Sequence, residues 1–263
     1  MIAPSNEPPA KNAQALWAHF SATYFSLRVG LAALAFAFPL VLYLYGKLRY
    51  GLDLQPSMSA YFFAATAEQC ASFPMRTLFV GFLFAISVGL YLYKGITDFE
   101  NVLLNAAGVC AALVAIFPER ITAAEAQTDA RLRQLFDNCP AVLQWAQTPQ
   151  TLPLHYIAAV SLFVILAVVA WACAYKTLEY LPAGKGDPNR FRRTYRSIAV
   201  LMLLCPLTGG VLALTLSELS AYVFFVEAAG VWTFGCYWAV KSRELSLSRL
   251  EDNPEQAVRN SPR

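Results

Sequence analysis

The sequence predicts an all-α integral membrane protein, a polytopic bundle of about six transmembrane helices. Of its 263 residues, 57% are hydrophobic and only 14% are charged, whereas about a quarter of the residues in a soluble domain are charged. The apolar residues form continuous blocks, and the charges fall between the blocks. Because bilayer hydrocarbon is about 30 Å thick, a spanning helix needs roughly 20 apolar residues.

Six of these blocks are long enough to be read as spans. They are predicted to be helices, because hydrocarbon offers no partner for an unpaired backbone N–H or C=O group. The runs lack the ten-residue alternation typical of a membrane barrel. They form a membrane domain over residues 24–240, between an N-terminal tail, 1–23, and a C-terminal tail, 241–263. The predicted spans are residues 24–46, 75–93, 102–117, 154–175, 198–216 and 222–240.

The distribution of basic residues predicts the orientation. Six spans place both termini on one side, and that side carries 14 of the 20 Lys and Arg residues. By the positive-inside rule both termini are cytoplasmic, in a bacterial-type inner (plasma) membrane. The first block starts after a polar stretch and is followed by Lys47 and Arg49, so we expect it to remain in the protein rather than be cleaved.

A basic segment precedes the fifth span on the inner side. It is either an anionic-lipid site or a simple topology signal, and both interpretations stay open. Its arginines are Arg190, Arg192, Arg193 and Arg196.

Two outer loops are long, residues 47–74 and 118–153, and each contains one cysteine. Cys70 and Cys139 are predicted to form a disulfide, because an extracytoplasmic compartment favours oxidation. The other four cysteines fall within spans, where cysteine behaves as a small apolar residue. Residues 122–136 contain good helix formers and are expected to form a surface helix.

Ionisable groups near the outer ends of the spans are the candidate functional residues, since charges within a membrane are expensive. Arg76 opens the second span, His155 opens the fourth, and Glu227 lies in the sixth at similar depth. The structural alternative to a pocket is a direct or water-bridged pair between Arg76 and Glu227. For His155 the alternative is a lone histidine at the membrane–water interface with no functional role. Asn101 is expected to cap the third span. The predicted outer-facing pocket is lined by Arg76, His155, Glu227, Ser59 and Tyr61.

Several kinds of site are disfavoured. With two histidines on opposite sides of the membrane, one chain does not provide a multi-histidine metal site. The chain has no nucleophile elbow, no glycine-rich phosphate loop and no CxxC pair. No cofactor is expected, and the small net charge of +3 gives no indication of nucleic acid.

Five short motifs follow one another in a fixed order, at residues 55–61, 75–81, 115–118, 154–159 and 227–235. In this order they resemble motifs of uncharacterised six-span bacterial inner-membrane proteins with a domain of unknown function, which implies the fold and the location. The resemblance extends distantly to ceramidase-like hydrolases, which use a serine, an aspartate and three histidines around a metal. This chain lacks those histidines, and Thr77 stands where the pattern has an aspartate.

We therefore expect a non-enzymatic membrane protein that binds a lipid, a small amphiphile or a partner protein through the outer pocket. One alternative is a membrane-embedded hydrolase of an amphiphilic substrate, with Glu227 or His155 as general base and Arg76 as an anion-binding group. Another is a subunit of a larger membrane complex. An enzyme requires a nucleophile or metal within about 3 Å of its base, whereas a binder requires only a cavity.

Overall fold

The computed structural model describes residues 9–65, 72–121, 130–147, 153–182, 184–215 and 221–248. These ranges are helical and contain no β-strand, which confirms the all-α class. A short 3-10 helix, Ser59–Phe62, lies between the first two long helices. The α-helices are α1 Pro9–Tyr50, α2 Pro74–Leu92, α3 Asp98–Ile116, α4 Ala130–Asn138, α5 Pro140–Gln147, α6 Leu154–Val168, α7 Pro188–Thr215 and α8 Ala221–Ser248.

Five helical segments are long and apolar enough to cross a membrane, which supports a multi-pass membrane protein. The sixth predicted span, residues 198–216, extends past the last described residue of α7 and is not among the five. The sixth crossing therefore remains a proposal. The five segments are Leu16–Tyr50, Pro74–Leu92, Asp98–Ile116, Leu154–Tyr180 and Tyr222–Ser248.

Six long helices form a closed ring. Around the ring, α1 packs on α2, α2 on α3, α3 on α6, α6 on α7, α7 on α8, and α8 again on α1. One continuous apolar core fills the centre, with Leu42, Leu104 and Trp238 fully buried. Other large apolar side chains, such as Leu207 and Val211, point outward, as expected of helices that face lipid.

Close packing of α2 and α3 depends on a glycine. The Ser87 hydroxyl donates to the Gly108 carbonyl at 2.7 Å. A Cβ atom on Gly108 would lie 2.8 Å from the Ser87 carbonyl oxygen, so a larger residue would push the helices apart. Small residues and interhelical hydrogen bonds are the usual means of packing helices in lipid.

The start of α3 corrects a sequence prediction. Thr97, not Asn101, is the N-cap, and its hydroxyl accepts a hydrogen bond from the Glu100 amide at 3.2 Å. The Glu100 carboxylate accepts from the Ile96 amide at 3.0 Å. The two hydrogen bonds satisfy the amides of Glu100 and Ile96 at the start of α3, and the helix begins four residues earlier than an Asn101 cap would place it.

Helix α6 changes its winding near its inner end. It continues as a π-helical turn, Val169–Cys173, and then as a tighter 3-10 segment, Ala174–Tyr180. Such changes need a partner to hold them, and they are frequent at functional positions. Here Lys241 of α8 donates to the Ala174 carbonyl at 2.9 Å.

Helices α4 and α5 form a small apolar cluster with the ends of the first outer loop. The surface helix predicted over residues 122–136 is described from Ala130 onward, since residues 122–129 lie outside the described chain. This outer cluster consists of Phe63, Phe73, Ile121, Phe136, Cys139 and Val142.

The predicted Cys70–Cys139 disulfide involves a residue outside the described chain, because Cys70 falls in the gap at residues 66–71. Cys139 is buried beside Phe63 and Phe73, the residues that flank this gap, and it is not among the free thiols. The bond between the two cysteines remains a prediction. The free cysteines of the described chain are Cys110, Cys173, Cys205 and Cys236.

Candidate functional site at the outer end of the bundle

The loop between α1 and α2 folds into the end of the helix ring. We call this end the outer end, following the predicted orientation. The Phe224 amide of α8 donates to the Pro56 carbonyl at 2.9 Å, which fixes the loop against the first turn of α8. Met58 and Tyr61 are then buried in the main core. The loop thus fills the space where the sequence predicted an outer-facing pocket.

Ser59 and His155 meet inside this closed end. Ser59 Oγ lies 2.9 Å from His155 Nε2, and the residues are 7% and 5% exposed. Ser59 opens the 3-10 helix and His155 lies in the first turn of α6, so the folded loop brings them together. The sequence placed both in one pocket but did not predict this hydrogen bond.

A backbone carbonyl fixes the tautomer of His155. Its Nδ1 lies 2.8 Å from the Phe117 carbonyl oxygen, just after α3. A carbonyl oxygen accepts hydrogen bonds and donates none, so Nδ1 carries the proton. In the neutral imidazole Nε2 is then the acceptor, and the Ser59 hydroxyl donates to it. This is the relation that a serine nucleophile needs with its general base.

Two carboxylates hold the loop just before Ser59. Glu227 of α8 accepts from the Met58 amide at 2.5 Å. Glu119 accepts from the Ser57 hydroxyl at 3.0 Å. Ser57 Oγ in turn accepts from the Ala60 amide at 2.8 Å, as a turn residue does. The two carboxyl groups therefore position the Ser59 segment.

Arg76 lies in a different environment from the one predicted. Its guanidinium lies 4.4 Å from the centre of the Phe62 ring and 4.2 Å from that of Phe73, and its Nε donates to the Phe62 carbonyl at 3.2 Å. Among the described residues Arg76 makes no direct ion pair with Glu227, so the direct form of the predicted pair is wrong, and the water-bridged form stays a prediction. Aromatic faces and a carbonyl satisfy the cation instead.

Tyr61 contributes packing to the site. It is 1% exposed, and its ring centre lies 6.0 Å from that of Phe224. Burial raises the pKa of the Tyr61 phenol to about 12, so the phenol stays protonated near neutral pH. It is therefore a wall of the site and not a base. Within the described ranges, no three His, Cys, Asp or Glu residues are grouped closely enough to hold a metal ion.

The sequence analysis missed a second polar cluster, at the inner end. Glu244 of α8 accepts from the Tyr195 hydroxyl at 2.5 Å, from Lys241 at 3.2 Å and from the Thr177 hydroxyl. Lys241 also donates to Thr177 Oγ1 at 2.6 Å. All four residues are at most 1% exposed. This inner network joins α6, α7 and α8. The spacing of Lys241 and Glu244, three residues apart on one helix face, was its signal in the sequence.

The four arginines of the predicted lipid site divide between two faces of α7. Arg192 lies over Tyr175 at 5.5 Å, and Arg196 over Trp171 at 5.4 Å. Arg190 and Arg193 line a groove of about 500 Å³. A further cavity of about 220 Å³, between the inner ends of α1 and α8, is lined mainly by aromatic and apolar side chains.

No family model, curated protein or solved structure matches this chain. The resemblance to six-span bacterial membrane proteins and to ceramidase-like hydrolases therefore remains an expectation from the motifs.

Proposed function

We propose that this protein is a membrane-embedded hydrolase, with Ser59 as nucleophile and His155 as general base. The observation that supports this most directly is the 2.9 Å contact between Ser59 Oγ and His155 Nε2, with Nδ1 held by the Phe117 carbonyl. A serine hydroxyl is a weak nucleophile unless a base accepts its proton, and the base is in turn oriented by a third group. All three elements of that arrangement are present.

The reaction follows from these roles. Ser59 Oγ attacks the carbonyl carbon of an ester or amide, and His155 Nε2 takes the hydroxyl proton. When the tetrahedral intermediate collapses, the imidazolium returns that proton to the leaving group and an acyl-serine forms. Water then repeats the sequence with the same base and releases the acid. The Phe117 carbonyl stabilises the transient imidazolium through the hydrogen bond to Nδ1.

The surroundings of the pair favour an amphiphilic substrate. His155 is followed on α6 by Tyr156 and Ile157, which are exposed, and the start of α8 exposes Tyr222 and Phe225. An apolar surface at the membrane boundary attracts molecules that have both a chain and a polar group. We propose a lipid-like ester or amide from the outer leaflet as the substrate class.

Substrate access requires the loop to move. Ser59 and His155 are both almost fully buried, so the segment held by Glu119 and Glu227 covers the reacting atoms. Lids that close over a site and exclude water are common in hydrolases. We propose that residues 56–63 open to admit substrate and then close again, which returns Ser59 to within reach of His155. The contacts of Glu119 and Glu227 keep this loop closed without substrate.

Non-enzymatic binding is the competing proposal. The same closed loop, together with the outer cluster around Cys139, supports a rigid cap that binds a lipid, a small amphiphile or a partner protein. A subunit of a larger membrane complex would use the cap in the same way. In these alternatives Ser59 is a structural residue and is chemically inert.

Labelling with a fluorophosphonate, which reacts with activated serines, separates the proposals. We expect the wild-type protein in detergent to be labelled and Ser59→Ala to lose the label. Ser248→Ala is the control, because Ser248 is also buried but donates to the Leu245 carbonyl instead of a histidine; this variant should keep the label. An unlabelled wild-type protein, or equal labelling of Ser59→Ala, would favour the inert cap.

The orientation and membrane type belong to the same proposal. We infer six crossings in a bacterial-type inner membrane, with both termini cytoplasmic, from the distribution of Lys and Arg residues. The Ser59–His155 pair then faces the outer leaflet. A reporter that is active only outside the cytoplasm, fused after the last residue, should remain silent. An active fusion would reverse the orientation and move the substrate to the inner leaflet.

A further inference from the structure

A groove lies along the first four turns of α7, at the end of the bundle opposite the Ser59–His155 pair. Its volume is about 500 Å³. The polar lining comes from the first three turns, and the apolar lining follows directly after it on the same helix face. The groove-lining residues considered below are Arg190, Arg193, Thr194, Ser197, Ile198 and Leu201.

Two of the four arginines at this end are free to bind a ligand. Arg192 and Arg196 are stacked on the rings of Tyr175 and Trp171. In contrast, within the part of the chain that the structure describes, the guanidinium groups of Arg190 and Arg193 have no acidic partner, and both residues are exposed. An unpaired arginine pair beside hydroxyl groups is well suited to a phosphate, which a guanidinium can bind through two parallel hydrogen bonds.

The groove also contains one acidic residue, Asp187. Its carboxylate accepts a hydrogen bond from the Asn189 amide at 2.9 Å and so caps the start of α7. This hydrogen bond holds the Asp187 carboxylate against the start of the helix. Because Arg190 and Arg193 carry two positive charges against this one negative charge, the groove is positive overall. The helix N-terminus adds partial positive charge at the same place.

The apolar half of the groove indicates the source of the phosphate. Ile198 and Leu201 form its floor, and the exposed side chain of Leu204 continues the same face one turn further. A free phosphate would use only the arginine end. A phospholipid would use both ends, with its phosphate at Arg190 and Arg193 and an acyl chain along Leu201 and Leu204.

We propose that this groove binds an anionic phospholipid of the leaflet around the start of α7. This site is independent of the proposed hydrolase, because it lies at the other end of the bundle and shares no residue with it. Basic residues beside the membrane attract anionic lipids in general. Here the separation of the arginines into a stacked pair and an unpaired pair makes a specific site that mutation can test.

Native mass spectrometry of the full chain in neutral detergent, with phosphatidylglycerol or phosphatidylcholine added, tests the proposal. We expect the protein to bind phosphatidylglycerol about tenfold more tightly than phosphatidylcholine, because basic side chains at the membrane surface attract its net negative charge. Arg190→Gln/Arg193→Gln should remove the preference. Arg192→Gln/Arg196→Gln, the matched control with the same loss of charge, should keep it.

Three results would overturn the proposal. One is a wild-type protein with no headgroup preference. Another is an equal loss of preference in the two double variants, which would mean that overall charge and not the groove attracts the lipid. The third is displacement of phosphatidylglycerol by millimolar inorganic phosphate, which would identify a small-anion site. All four arginines are exposed, so both variants should fold, and equal melting temperatures would verify this.

Discussion

Ser59 Oγ and His155 Nε2 lie 2.9 Å apart, although 96 positions separate the two residues in the chain. The hydrogen bond joins the loop after α1 to the first turn of α6. The hydrogen bond depends on the position of the loop as well as on α6, because Ser59 lies in that loop. The contacts that hold this loop are therefore the first to test.

Glu227→Ala should destabilise the closed loop. The substitution removes the carboxyl group that accepts a hydrogen bond from the Met58 amide at 2.5 Å. A buried amide left without its acceptor costs about 1–3 kcal/mol, so the free energy of unfolding should fall by roughly that amount. Thermal unfolding in detergent measures the change. Because the same contact holds Ser59 beside His155, the fluorophosphonate should label Ser59 more slowly in this variant.

Asp53→Ala is the matched control for that experiment. Asp53 lies on the same loop and pairs with Lys47 at 2.9 Å, but the two side chains are 82% and 48% exposed. Exposed ion pairs contribute about 0–1 kcal/mol, so this variant should remain close to wild type. Equal effects of the two substitutions would show that Glu227 does not hold the loop.

The inner network predicts strong coupling between Lys241 and Glu244. Their side chains are 2% and 0% exposed, so removing one partner leaves a buried charge. Lys241→Met should lower the free energy of unfolding by about 3–5 kcal/mol. Adding Glu244→Gln should restore part of that loss, because the unpaired carboxylate is then gone. Unfolding in mixed detergent micelles, measured as a double-mutant cycle, gives the coupling energy.

Lys47→Met with Asp53→Asn provides the exposed reference cycle, for which the coupling should be close to zero. A similarly small coupling for Lys241 and Glu244 would mean that water reaches the network. In that case the 3-10 end of α6 would need another explanation, because Lys241 donates to the carbonyl of Ala174 at its start.

The predicted Cys70–Cys139 disulfide is tested by peptide mapping without reduction. We expect the two cysteine peptides to be linked, since Cys139 packs against Phe63 and Phe73 on either side of the Cys70 segment. Cys205 and Cys236, which are free thiols, are the internal controls and should be alkylated after unfolding. Recovery of Cys70 and Cys139 as free thiols would contradict the prediction and weaken the proposed orientation.

The sequence was sufficient for the fold class because the membrane restricts the choices. A continuous apolar run must be helical in hydrocarbon, and this predicted α2, α3, α6 and α8 with small errors at their ends. The first helix differs most: α1 begins at Pro9 instead of residue 24. The apolar pattern predicts only the part of a helix that crosses hydrocarbon. The helix itself continues as long as its backbone N–H and C=O groups are hydrogen-bonded.

The sequence predicted which end of the bundle holds the candidate-site residues, but not which of them contact one another. Ser59 and His155 contact each other at the outer end, and Glu227 accepts a hydrogen bond from the neighbouring Met58 amide. Among the described residues Arg76 makes no direct pair with Glu227, because depth does not show which way a side chain points around a helix. Aromatic residues of the neighbouring loop, Phe62 and Phe73, surround it instead.

The inner network was overlooked for a related reason. Lys241 is the first residue of the predicted C-terminal tail, 241–263, which the sequence analysis places in the cytoplasm. In the structure it is 1% exposed. A charge at a helix end can turn inward when a carboxylate and free carbonyls are within reach, and only the packing of α6, α7 and α8 shows that they are.

The rate at which a fluorophosphonate labels Ser59 in wild type and in His155→Gln tests the central claim most directly. Glutamine is close in size to histidine but does not accept the serine proton as a base. If His155 activates Ser59, the second-order labelling rate should fall by about 100-fold or more while the melting temperature changes little. Equal rates in the two proteins, with the label mapped to Ser59, would contradict the account.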